Sequence, residues 1–550
     1  MTRDIPVGNG NLLVNFDLDY NIRDIYFPNI GKANHTLGRV SRTGVWVDGH
    51  FSWLDSTGWA KELRYMSDSM ATQVTATNQE LQLRLVCNDV VDFNLDIFLR
   101  RVGVFNLAQR SREVRLFFHF DFHLWETGRG DSIYYDPDGK FLVAYKDNCY
   151  FLMNGSLGDR IGIDGWTTGH KDEHGGEGSW ADAEDGLLGE VGSSFGAVDG
   201  VIAVHQPQIP PGGSSVIYAW LAAAQKLEGI HDLDKVVRER KPHLLIKRTM
   251  GYWRAWVKKE DTDFYDLPRE VMRLYERSLL LIRTQVDNGG GIIAATDSDL
   301  YALAHGLETY SYVWPRDAAY IANALDKAGY AFLSSRFYQF CKDVIYDEKD
   351  SVGSSAASQE SAYMLHKYTP DRLPASNWMP HVDKEGNRQL PIQEDETALI
   401  PHCLWQHYLK FRDIETIKPL YRPLIIHAAN FMVGFRERHT RLPAPSFDLW
   451  EERRGIYSYT VATVWAGLVA SANFAELFGD LDQAEEYRRT AAEIKEACAT
   501  YLYDERERRF LKQISMKADG TIERDYTVDA SLYGLWYFGI FEPTDPRIER

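Results

Sequence analysis

The first 235 residues consist of short runs in which apolar and polar positions alternate, separated by clusters of Gly, Asp and Asn. A period of two is typical of strands that bury one face, because successive side chains point to opposite sides of a sheet. The pattern predicts strands over residues 12–16, 45–47, 82–87, 113–121, 133–135, 141–145, 149–153 and 216–222. Many short strands joined by turn residues indicate an antiparallel β-sandwich domain over residues 1–235.

From residue 236 the period becomes helical, with apolar positions three and four residues apart. A helical linker is predicted over 236–265. Helices are predicted over 267–285, 315–328, 331–346, 394–411, 414–438, 460–478, 480–503 and 529–539. Because strand-like alternation does not interrupt this series for long, a βαβ sheet is excluded. Helical pairs stacked into a ring or solenoid are expected over 266–550.

Length and charge limit the class of protein and its partners. The 550 residues exceed what one hydrophobic core usually holds, so at least two domains are expected. The net charge of -18 repels phosphate backbones and anionic lipids, so neither nucleic acid nor a membrane is an expected partner. The start of the chain carries no apolar signal region, and no apolar stretch long enough to span a bilayer is expected. A cytoplasmic location is predicted, with a signal lost by trimming as the alternative.

Cysteine and histidine spacing gives little support to metal or redox chemistry. His170 and His174 have HxxxH spacing, which could bind a divalent ion on a helix, but the surrounding glycines favour a solvated loop. No cofactor and no metal site are expected. Reduced core thiols are predicted for five cysteines that are scattered without a CxxC pair: Cys87, Cys149, Cys341, Cys403 and Cys498.

Aromatic residues make up 13% of the chain, and several stand in polar surroundings. A pyranose ring packs its C–H face on an aromatic plane, while its hydroxyls bind carboxylates and guanidinium groups. Long loops predicted over 286–314, 347–392 and 439–459 concentrate such residues, and long loops in compact domains usually carry function. The composition therefore favours a sugar-binding cleft.

The first candidate motif, residues 310–317, reads YSYVWPRD. Pro315 suits the first position of a helix, which places Arg316 and Asp317 in the first turn, where both can point outward at a ligand. An Arg beside an Asp can bind adjacent sugar hydroxyls, one side chain donating and the other accepting. The structural alternative is an aromatic-rich helix start with an exposed ion pair.

The second motif, residues 393–399, reads QEDETAL and opens a predicted helix. Acidic residues in a first turn are also what an ordinary well-capped helix carries, so the structural alternative is strong. The preceding loop favours a functional interpretation, because Trp378 and His381 lie among polar residues while Pro374 and Pro380 stiffen the path.

The third motif, residues 447–455, reads FDLWEERRG. Two adjacent carboxylates beside a Trp can raise the pKa of one carboxyl through crowding and partial burial. A neutral carboxylic acid near the working pH is what protonation of a glycosidic oxygen requires. The alternative is a charged helix–helix loop whose Glu residues pair with Arg453 and Arg454. All three motifs precede or open helices, so a ring of helices would bring them to one rim.

Together these motifs resemble a known family. The runs YSYVWPRD (310–317), LHKYTPDRL…QLPIQEDETAL (365–399) and DLWEERRG (448–455) are similar to the bacterial and archaeal branch of the glucoamylase family of glycoside hydrolases, family 15. The opening run, residues 8–35, is similar to the start of that branch's N-terminal domain. The resemblance implies a β-sandwich followed by an (α/α)6 barrel, and inversion at the anomeric carbon.

By position in the motifs, the resemblance implies that Glu451 is the general acid and that Tyr310 lies beside the reacting carbon. Trp314, Arg316 and Asp317 would hold the nonreducing-end glucose. Further residues are implied to shape the surroundings of the acid, to contact the leaving sugar or to line the pocket: Asp448, Trp450, Glu452, Tyr312, Asp395 and Trp378.

An inverting hydrolase needs a second carboxylate, about 6.5 to 9.5 Å from the first, to activate water. In the family this base follows a late barrel helix in an Ala-Glu-Gln-like stretch, and none follows Glu452 here. Glu476 and Glu485 lie inside amphipathic helices and are poor substitutes. Roughly eight barrel helices are predicted where the family has about twelve. A truncated sequence with an incomplete barrel is therefore expected, with a missing base as the alternative.

The resemblance implies release of glucose from the nonreducing ends of malto-oligosaccharides and starch-like α-glucans. A trehalase, an isomaltose-type hydrolase or a glucodextranase would use the same acid and the same grip on the terminal glucose. The competing class is a noncatalytic carbohydrate-binding protein like the regulatory subunits of phosphorylase kinase. Complete DLWEE and WPRD motifs argue against that class, and the absent base keeps it as an alternative.

Overall fold

The structure is a computed structural model that describes residues 5–171, 176–259, 262–296, 310–347, 361–376, 392–517 and 520–548. Its contacts divide the chain into two compact units. The first comprises Met1–Asn288 and Ala295–Ser311, and the second comprises Gly289–Ala294 and Tyr312–Arg550. A sheet-rich unit is thus followed by a helical unit, as the two periods of the sequence predict.

The described part of the first unit forms three sheets, and every pairing of neighbouring strands is antiparallel. All eight predicted strands are present, with others between them. The strands are β1 Ile5–Gly8, β2 Leu13–Phe16, β3 Ile22–Asn29, β4 Lys32–Asn34, β5 Thr43–Val47, β6 His50–Trp53, β7 Ala60–Tyr65, β8 Thr72–Asn78, β9 Leu83–Val91, β10 Ile97–Asn106, β11 Arg112–Asp121, β12 Asp131–Asp136, β13 Phe141–Lys146, β14 Cys149–Leu157, β15 Arg160–Ile161, β16 Gly165–His170, β17 Ser193–Gly196, β18 Val198–Ile209 and β19 Ser214–Ala224.

The core of the first unit is shared by its two larger sheets. The five-stranded sheet has the order β16-β18-β11-β5-β6. The ten-stranded sheet has the order β17-β12-β13-β14-β19-β10-β9-β8-β7, with β15 paired to β14. One apolar cluster joins Val74 and Ile217 of the larger sheet to Leu116 and Ile202 of the smaller one, and all four are fully buried. Alternating burial along β8 matches its alternating sequence, because one face of the strand enters this core.

Three helices follow the sheets within the first unit: α1 Leu227–Arg240, α2 Pro242–Val257 and α3 Arg269–Thr284. Ile230 of α1 and Leu245 of α2 pack with Leu99 and Trp220 on the outer face of the ten-stranded sheet. Helix α3 in turn contacts α2 and β1. The helices are part of this unit because their apolar faces cover sheet surface that solvent would otherwise reach.

This grouping differs from the domain limits expected from the sequence. Residues 236–265 were expected to be a linker, and 266–550 a ring of helices. The compact units instead divide after Asn288, so the segment of the expected linker and the first helix of the expected ring group with the sheets. Helical periodicity identifies the apolar face of a helix but not the surface on which that face packs.

The second unit is mainly helical, and every helix predicted after residue 314 is present. Helix α9 (Ser458–Phe478) packs against α6 (Glu394–Phe411) and α10 (Leu481–Tyr501), and α4 (Pro315–Lys327) packs against α6. A Cβ at Gly467 of α9 would lie 2.7 Å from the Ala398 carbonyl oxygen, so close approach of α9 to α6 requires glycine there. The helices are α4 Pro315–Lys327, α5 Ala331–Val344, α6 Glu394–Phe411, α7 Ile414–Leu420, α8 His427–Gly434, α9 Ser458–Phe478, α10 Leu481–Tyr501 and α11 Gly534–Tyr537.

The single helix predicted over 414–438 is divided in the structure. Helix α7 continues into a π-helical turn, Tyr421–Ile426, before α8, which ends at Gly434. Pro419 lies inside α7 and Pro423 inside the π turn. A proline removes a backbone donor and clashes with the preceding turn, which accounts for the break.

Short strands also occur in the second unit, and the sequence analysis did not predict them: β20 Tyr346–Asp347, β21 Ala362–Tyr363, β22 Ser446–Phe447, β23 Arg454–Tyr457, β24 Tyr503–Asp504, β25 Arg509–Phe510, β26 Gln513–Met516 and β27 Ile522–Asp525. Four of them form an antiparallel sheet in the order β22-β23-β26-β27. Residues 448–453 connect β22 to β23. The third motif is therefore the loop of a β-hairpin and not a helix–helix loop.

Helix α9 corrects one further expectation. It is long and apolar enough to cross a membrane by length and composition, with 21 residues and a mean hydropathy of 1.4 in its most apolar window, whereas no such stretch was expected. Of that window, 67% is buried within the protein. The helix is apolar on several sides because α6 and α10 cover it, which is typical of a core helix.

All five cysteines are buried and free of disulfides, as predicted. Burial raises the pKa of Cys87, Cys403 and Cys498 to about 12, so these thiols are poor nucleophiles. Within the described ranges, no group of three or more His, Cys, Asp or Glu is placed to hold a metal ion. Of the HxxxH candidate, His170 ends strand β16, and residues 172–175 lie outside the described residues.

Candidate active site

The hairpin loop that carries Glu451 is closed by its own hydrogen bonds. Asp448 N donates to Arg453 O at 3.0 Å, and Glu451 N donates to Asp448 O at 2.9 Å. The buried Asp448 carboxylate accepts from Glu452 N at 2.8 Å and from Arg453 N at 3.2 Å. Glu451 has a left-handed backbone conformation, with φ of 61°, which is uncommon for a residue with a side chain and clusters at functional sites. Asp448 therefore organises the turn that presents Glu451.

The Glu451 carboxyl lies in a partly buried, polar environment. Its Oε1 accepts from Trp314 Nε1 at 2.7 Å and lies 4.0 Å from Arg316 Nη2. The side chain remains 17% exposed. Burial raises the pKa of Glu451, and the hydrogen bond from Trp314 and the positive charges of Arg316 and Lys367 oppose this rise without cancelling it. The carboxyl therefore stays protonated to a higher pH than that of an ordinary Glu, and solvent still reaches it.

Arg316 joins the three motifs. It stands in the first turn of α4, directly after Pro315 at the first position of the helix. Its Nη1 donates to Gln393 Oε1 at 2.8 Å and to Asp395 Oδ2 at 3.1 Å, and lies 3.5 Å from Glu396 Oε1. Burial disfavours the charge, but Asp395 and Glu396 outweigh that effect and raise the pKa of Arg316.

Arg316 and Asp317 differ from the exposed pair that the sequence suggested. Arg316 is only 9% exposed, and its hydrogen-bonded carboxylate is Asp395. Asp317 Oδ2 lies 3.8 Å from Arg316 Nε, and the Asp317 side chain is 47% exposed. The structural alternative of an exposed ion pair therefore does not hold for Arg316, because the buried carboxylates of α6 fix its guanidinium in the interior, near Glu451. Asp317 remains accessible to a ligand.

The acidic first turn of α6 is completely buried. Glu394, Asp395 and Glu396 are all 0% exposed, whereas acids that only cap a helix usually face solvent. Burial raises the pKa of each carboxyl, and raises those of Glu394 and Glu396 well above the usual range. The carboxyl oxygens of Glu394 and Glu396 make no hydrogen bond within the residues that the structure describes. Such burial favours the functional interpretation of this motif over simple capping.

A lysine and two aromatic rings lie beside the acid. Val313 and Tyr368 form a β-bridge, in which Val313 N donates to Tyr368 O at 2.8 Å. The neighbouring Lys367 Nζ lies 4.4 Å from the ring centre of Tyr312 and 5.3 Å from that of Trp314, as in cation–π contacts. Sequence reasoning gave Lys367 no role. Its position inside the quoted run LHKYTPDRL was the available signal.

His366 is a second residue that sequence reasoning missed. Its ring packs edge-on against Trp314, with 6.4 Å between ring centres, and its Nδ1 lies 2.8 Å from Ser376 Oγ. Burial, with the positive charges of Lys367 and Arg316, lowers the pKa of His366 to about 3. The imidazole is therefore neutral at ordinary pH and supports the Trp314 ring.

Of the remaining predicted residues, three are exposed and one lies outside the described ranges. Trp450 is 50% exposed, and its Nε1 donates to Asp529 Oδ2 at 3.1 Å. Glu452 is exposed on the same loop. Tyr310 is 50% exposed and groups with the first unit. Trp378 lies outside the described residues.

A protonatable carboxyl that solvent reaches, beside a guanidinium group and aromatic rings, suits cleavage of the bond between two sugars, because the leaving oxygen must receive a proton. The fold and this site define the class as a glycoside hydrolase. Comparison with known families agrees and is more specific. The chain belongs to the glycosyl hydrolases family 15, whose family model matches residues 272–547.

Individual relatives extend this likeness over most of the chain. An uncharacterized glycosyl hydrolase of Methanocaldococcus jannaschii is 23% identical over 98% of this chain, which spans 80% of that protein. A trehalase of Thermoplasma volcanium is 27% identical over 60% of this chain and 49% of its own length. The crystal structure of a bacterial glucoamylase complexed with acarbose matches with a TM-score of 0.71 at 16% identity, over 98% of this chain and 75% of that chain. At that identity the structural likeness concerns the fold alone.

Proposed function

We propose that this family 15 hydrolase releases glucose from the nonreducing ends of malto-oligosaccharides and starch-like α-glucans, with Glu451 as the general acid. The proposal includes closure of the helices into an (α/α)6 ring, inversion at the anomeric carbon and a cytoplasmic location. The observation that carries it is the partly buried Glu451 carboxyl beside Trp314 and Arg316.

The two carboxyl oxygens of Glu451 have different surroundings. Trp314 donates to Oε1, and the nearest contact of Arg316 is also with Oε1. A donor and a positive charge at one oxygen disfavour a proton there, so the proton of the neutral acid belongs on Oε2. Oε2 is then the atom that transfers the proton to the glycosidic oxygen. The raised pKa of Glu451 supports this role, since a general acid works best with a pKa near the operating pH.

The neighbouring side chains can hold one terminal sugar. Asp317 offers exposed acceptor oxygens, and Arg316 offers donors from a side chain fixed by Asp395. The rings of Tyr312 and Trp314 meet at 81° with 6.2 Å between centres, and such aromatic surfaces can pack against the C–H face of a pyranose. Trp450 and Glu452, which are exposed on the acid's own loop, suit contact with the leaving sugar. The roles of Tyr310 and Trp378 stay predictions from the resemblance.

Inversion requires a second carboxylate to activate water, about 6.5 to 9.5 Å from Glu451. We assign no residue of this sequence to that role. Asp395 and Glu396 are unsuited to it, because both are fully buried and face the Arg316 guanidinium. Proton nuclear magnetic resonance of the first product tests inversion directly. Release of the β-anomer from an α-glucan is expected, and release of the α-anomer would contradict the proposal.

The role of Glu451 is tested by Glu451→Gln. An amide of the same shape cannot release a proton, so kcat should fall by at least about 100-fold, while the sugar dissociation constant changes less than about threefold. Glu476→Gln is the matched control, because Glu476 is 56% exposed on α9 and pairs with Arg488. It should keep full activity. Near-normal turnover by Glu451→Gln would remove Glu451 from the role of acid.

Product analysis on maltotriose, isomaltose and trehalose tests the substrate. Glucose from maltotriose is the expected result. Cleavage of trehalose alone would favour the trehalase alternative, which the similarity to the Thermoplasma volcanium trehalase also supports. Cleavage of isomaltose alone would favour an isomaltose-type hydrolase or a glucodextranase. Sugar binding without hydrolysis of any of the three would support the noncatalytic alternative.

A further inference from the structure

The side chain of Gln393 links two parts of the site that sequence reasoning treated separately. Gln393 is 0% exposed and occupies the N-cap position of α6. Its Oε1 accepts from Arg316 Nη1 at 2.8 Å, and its Nε2 donates to Asp448 O at 2.6 Å. One amide therefore connects the first turn of α4, the start of α6 and the hairpin loop that carries Glu451.

Helix capping does not account for this side chain. An N-cap residue usually turns its side-chain oxygen back to a backbone N–H of the first turn. Gln393 makes no side-chain hydrogen bond of that kind to the described residues of α6, where its backbone carbonyl accepts from Glu396 N at 3.1 Å. Both ends of the amide are engaged by the other two motifs instead.

The two partners together require an amide. Arg316 can only donate, and a backbone carbonyl can only accept, so the group between them must present an acceptor on one side and a donor on the other. Gln meets this need. Glutamate would keep the shape and the acceptor but, when ionised, would lose the donor and place negative charge against the Asp448 carbonyl. The same reasoning fixes which end of the Gln393 amide is oxygen and which is nitrogen.

The Asp448 carbonyl is the point through which Gln393 acts on Glu451. The same oxygen accepts from Glu451 N at 2.9 Å and so closes the turn in which Glu451 has φ of 61°. A shift of this carbonyl would move the backbone of Glu451 relative to Arg316. Proton donation is sensitive to such shifts, since a displacement of about 1 Å can lower a rate by about 100-fold.

We infer that Gln393 is a positioning residue for proton donation. It fixes the separation between the Arg316 guanidinium, which holds the terminal sugar, and the Glu451 carboxyl, which protonates the leaving oxygen. This inference rests on the proposed function through the role of Glu451. Gln393 is fully buried, so it acts through Arg316 and Asp448 and not directly on the substrate.

The test compares two substrates with the same sugar and different leaving groups in the variant Gln393→Glu. The leaving group of maltose, or of trehalose if product analysis selects it, is the alcohol oxygen of a sugar, which needs the proton. The leaving group of α-glucosyl fluoride is a fluoride ion, which has little need of a proton. We expect kcat on the disaccharide to fall about 10- to 100-fold and kcat on the fluoride to stay within about threefold. A general disturbance of the pocket would lower both rates in parallel.

Matched variants distinguish failure of the inference from poor folding and from failure of the proposed function. Gln406→Glu makes the same change at an exposed position of α6 and should leave both rates within about threefold. If melting shows that Gln393→Glu folds poorly, Gln393→Asn, which keeps both groups on a shorter side chain, should show the same difference between the substrates. Glu451→Gln is the reference and should lose more activity on the disaccharide while sparing the fluoride.

A parallel loss on both substrates, or an unchanged disaccharide rate in the folded Gln393→Glu protein, would overturn the inference. Full activity of Glu451→Gln would overturn the proposed function, whatever Gln393→Glu does. An inactive Glu451→Gln together with no substrate difference in Gln393→Glu would overturn the inference alone.

Discussion

Each unit buries an arginine against carboxylates, and the two clusters differ in how completely their carboxylate oxygens are paired. In the first unit, Arg100 Nε donates to Asp89 Oδ1 at 2.7 Å. Asp89 Oδ2 accepts from Tyr20 Oη and from Thr72 Oγ1, each at 2.6 Å. Both oxygens of the buried Asp89 therefore have partners. This arrangement suits a structural ion pair, in which close contacts to both oxygens of Asp89 offset the desolvation, while Arg100 Nη2 makes no hydrogen bond to the described residues.

Around Arg316 in the second unit, several carboxylates share one positive charge. Asp395, Glu396 and Glu451 all lie within 4.0 Å of the one guanidinium. The oxygens of Glu396 accept no hydrogen bond from the described residues, and burial raises its pKa. Buried polar groups left without partners reduce stability, and they are expected where a site is prepared for a polar ligand. The comparison thus separates a cluster that suits a structural role from one that suits the proposed chemistry.

The largest expected effect is the loss of stability in Asp89→Ala. This change leaves the Arg100 guanidinium buried without its carboxylate, so the free energy of unfolding should fall by about 3 to 5 kcal/mol. Urea unfolding at pH 7 measures it. The double variant Arg100→Met with Asp89→Leu should lose less, because no buried charge remains unpaired. A loss below about 1 kcal/mol in Asp89→Ala would show that complete pairing is not what makes this cluster structural.

In contrast to Asp89→Ala, Arg316→Lys should lower activity strongly and change stability little. A lysine keeps the charge but cannot reach Gln393 and Asp395 together, so kcat/KM should fall about 100-fold, equivalent to about 2.7 kcal/mol. The free energy of unfolding should change by less than about 1 kcal/mol, because the carboxyls of Asp395 and Glu396 can take up protons. Steady-state kinetics and urea unfolding test both parts.

Arg422→Lys is the control for that variant, since Arg422 is 67% exposed and its Nη2 lies 3.8 Å from Asp480. Arg422→Lys should leave kcat/KM and the free energy of unfolding unchanged. Stability loss in Arg316→Lys as large as in Asp89→Ala, with intact activity, would place Arg316 among the structural ion pairs.

The smallest expected effect concerns the pH dependence of stability. Burial raises the pKa of Glu394 well above 4.5, so the folded state keeps a proton that the unfolded chain releases above that pH. The stabilisation is therefore complete below pH 4.5 and is lost as the pH rises toward the folded-state pKa. Above pH 4.5, Glu394→Gln should therefore flatten the decline of the unfolding free energy with rising pH. Glu476→Gln should leave the slope unchanged, and equal slopes in wild type and Glu394→Gln would mean that Glu394 ionises normally.

Much of the fold could be predicted, because local pattern and burial agree. Strand β11 and helix α6 were predicted within one residue of their observed bounds, and both bury apolar residues in a core. The π turn could have been anticipated from Pro419 and Pro423. The β22–β23 hairpin could not, because its strands are too short to show a period and depend on pairing with the distant strand β26.

The site residues likewise fall into those that the sequence indicated and those that it did not. Residue types at helix starts pointed to Trp314, Arg316 and Glu451, and the structure brings these three together. The roles of Gln393 and Lys367 were missed, since each depends on partners in another segment of the chain. The residues next to Gln393 and Lys367 in the sequence do not show which distant residues these side chains contact.

The sequence by itself determined which chemical groups are present, the period of each segment and the family to which the motifs belong. Tertiary structure alone decided that Glu451 and Glu394 hold protons more tightly than ordinary carboxyls, and that Arg316 turns inward. The physical reason is that the free energy of a charge depends on its burial and on the charges around it. For this site, those neighbours come from segments about 60 to 140 residues apart.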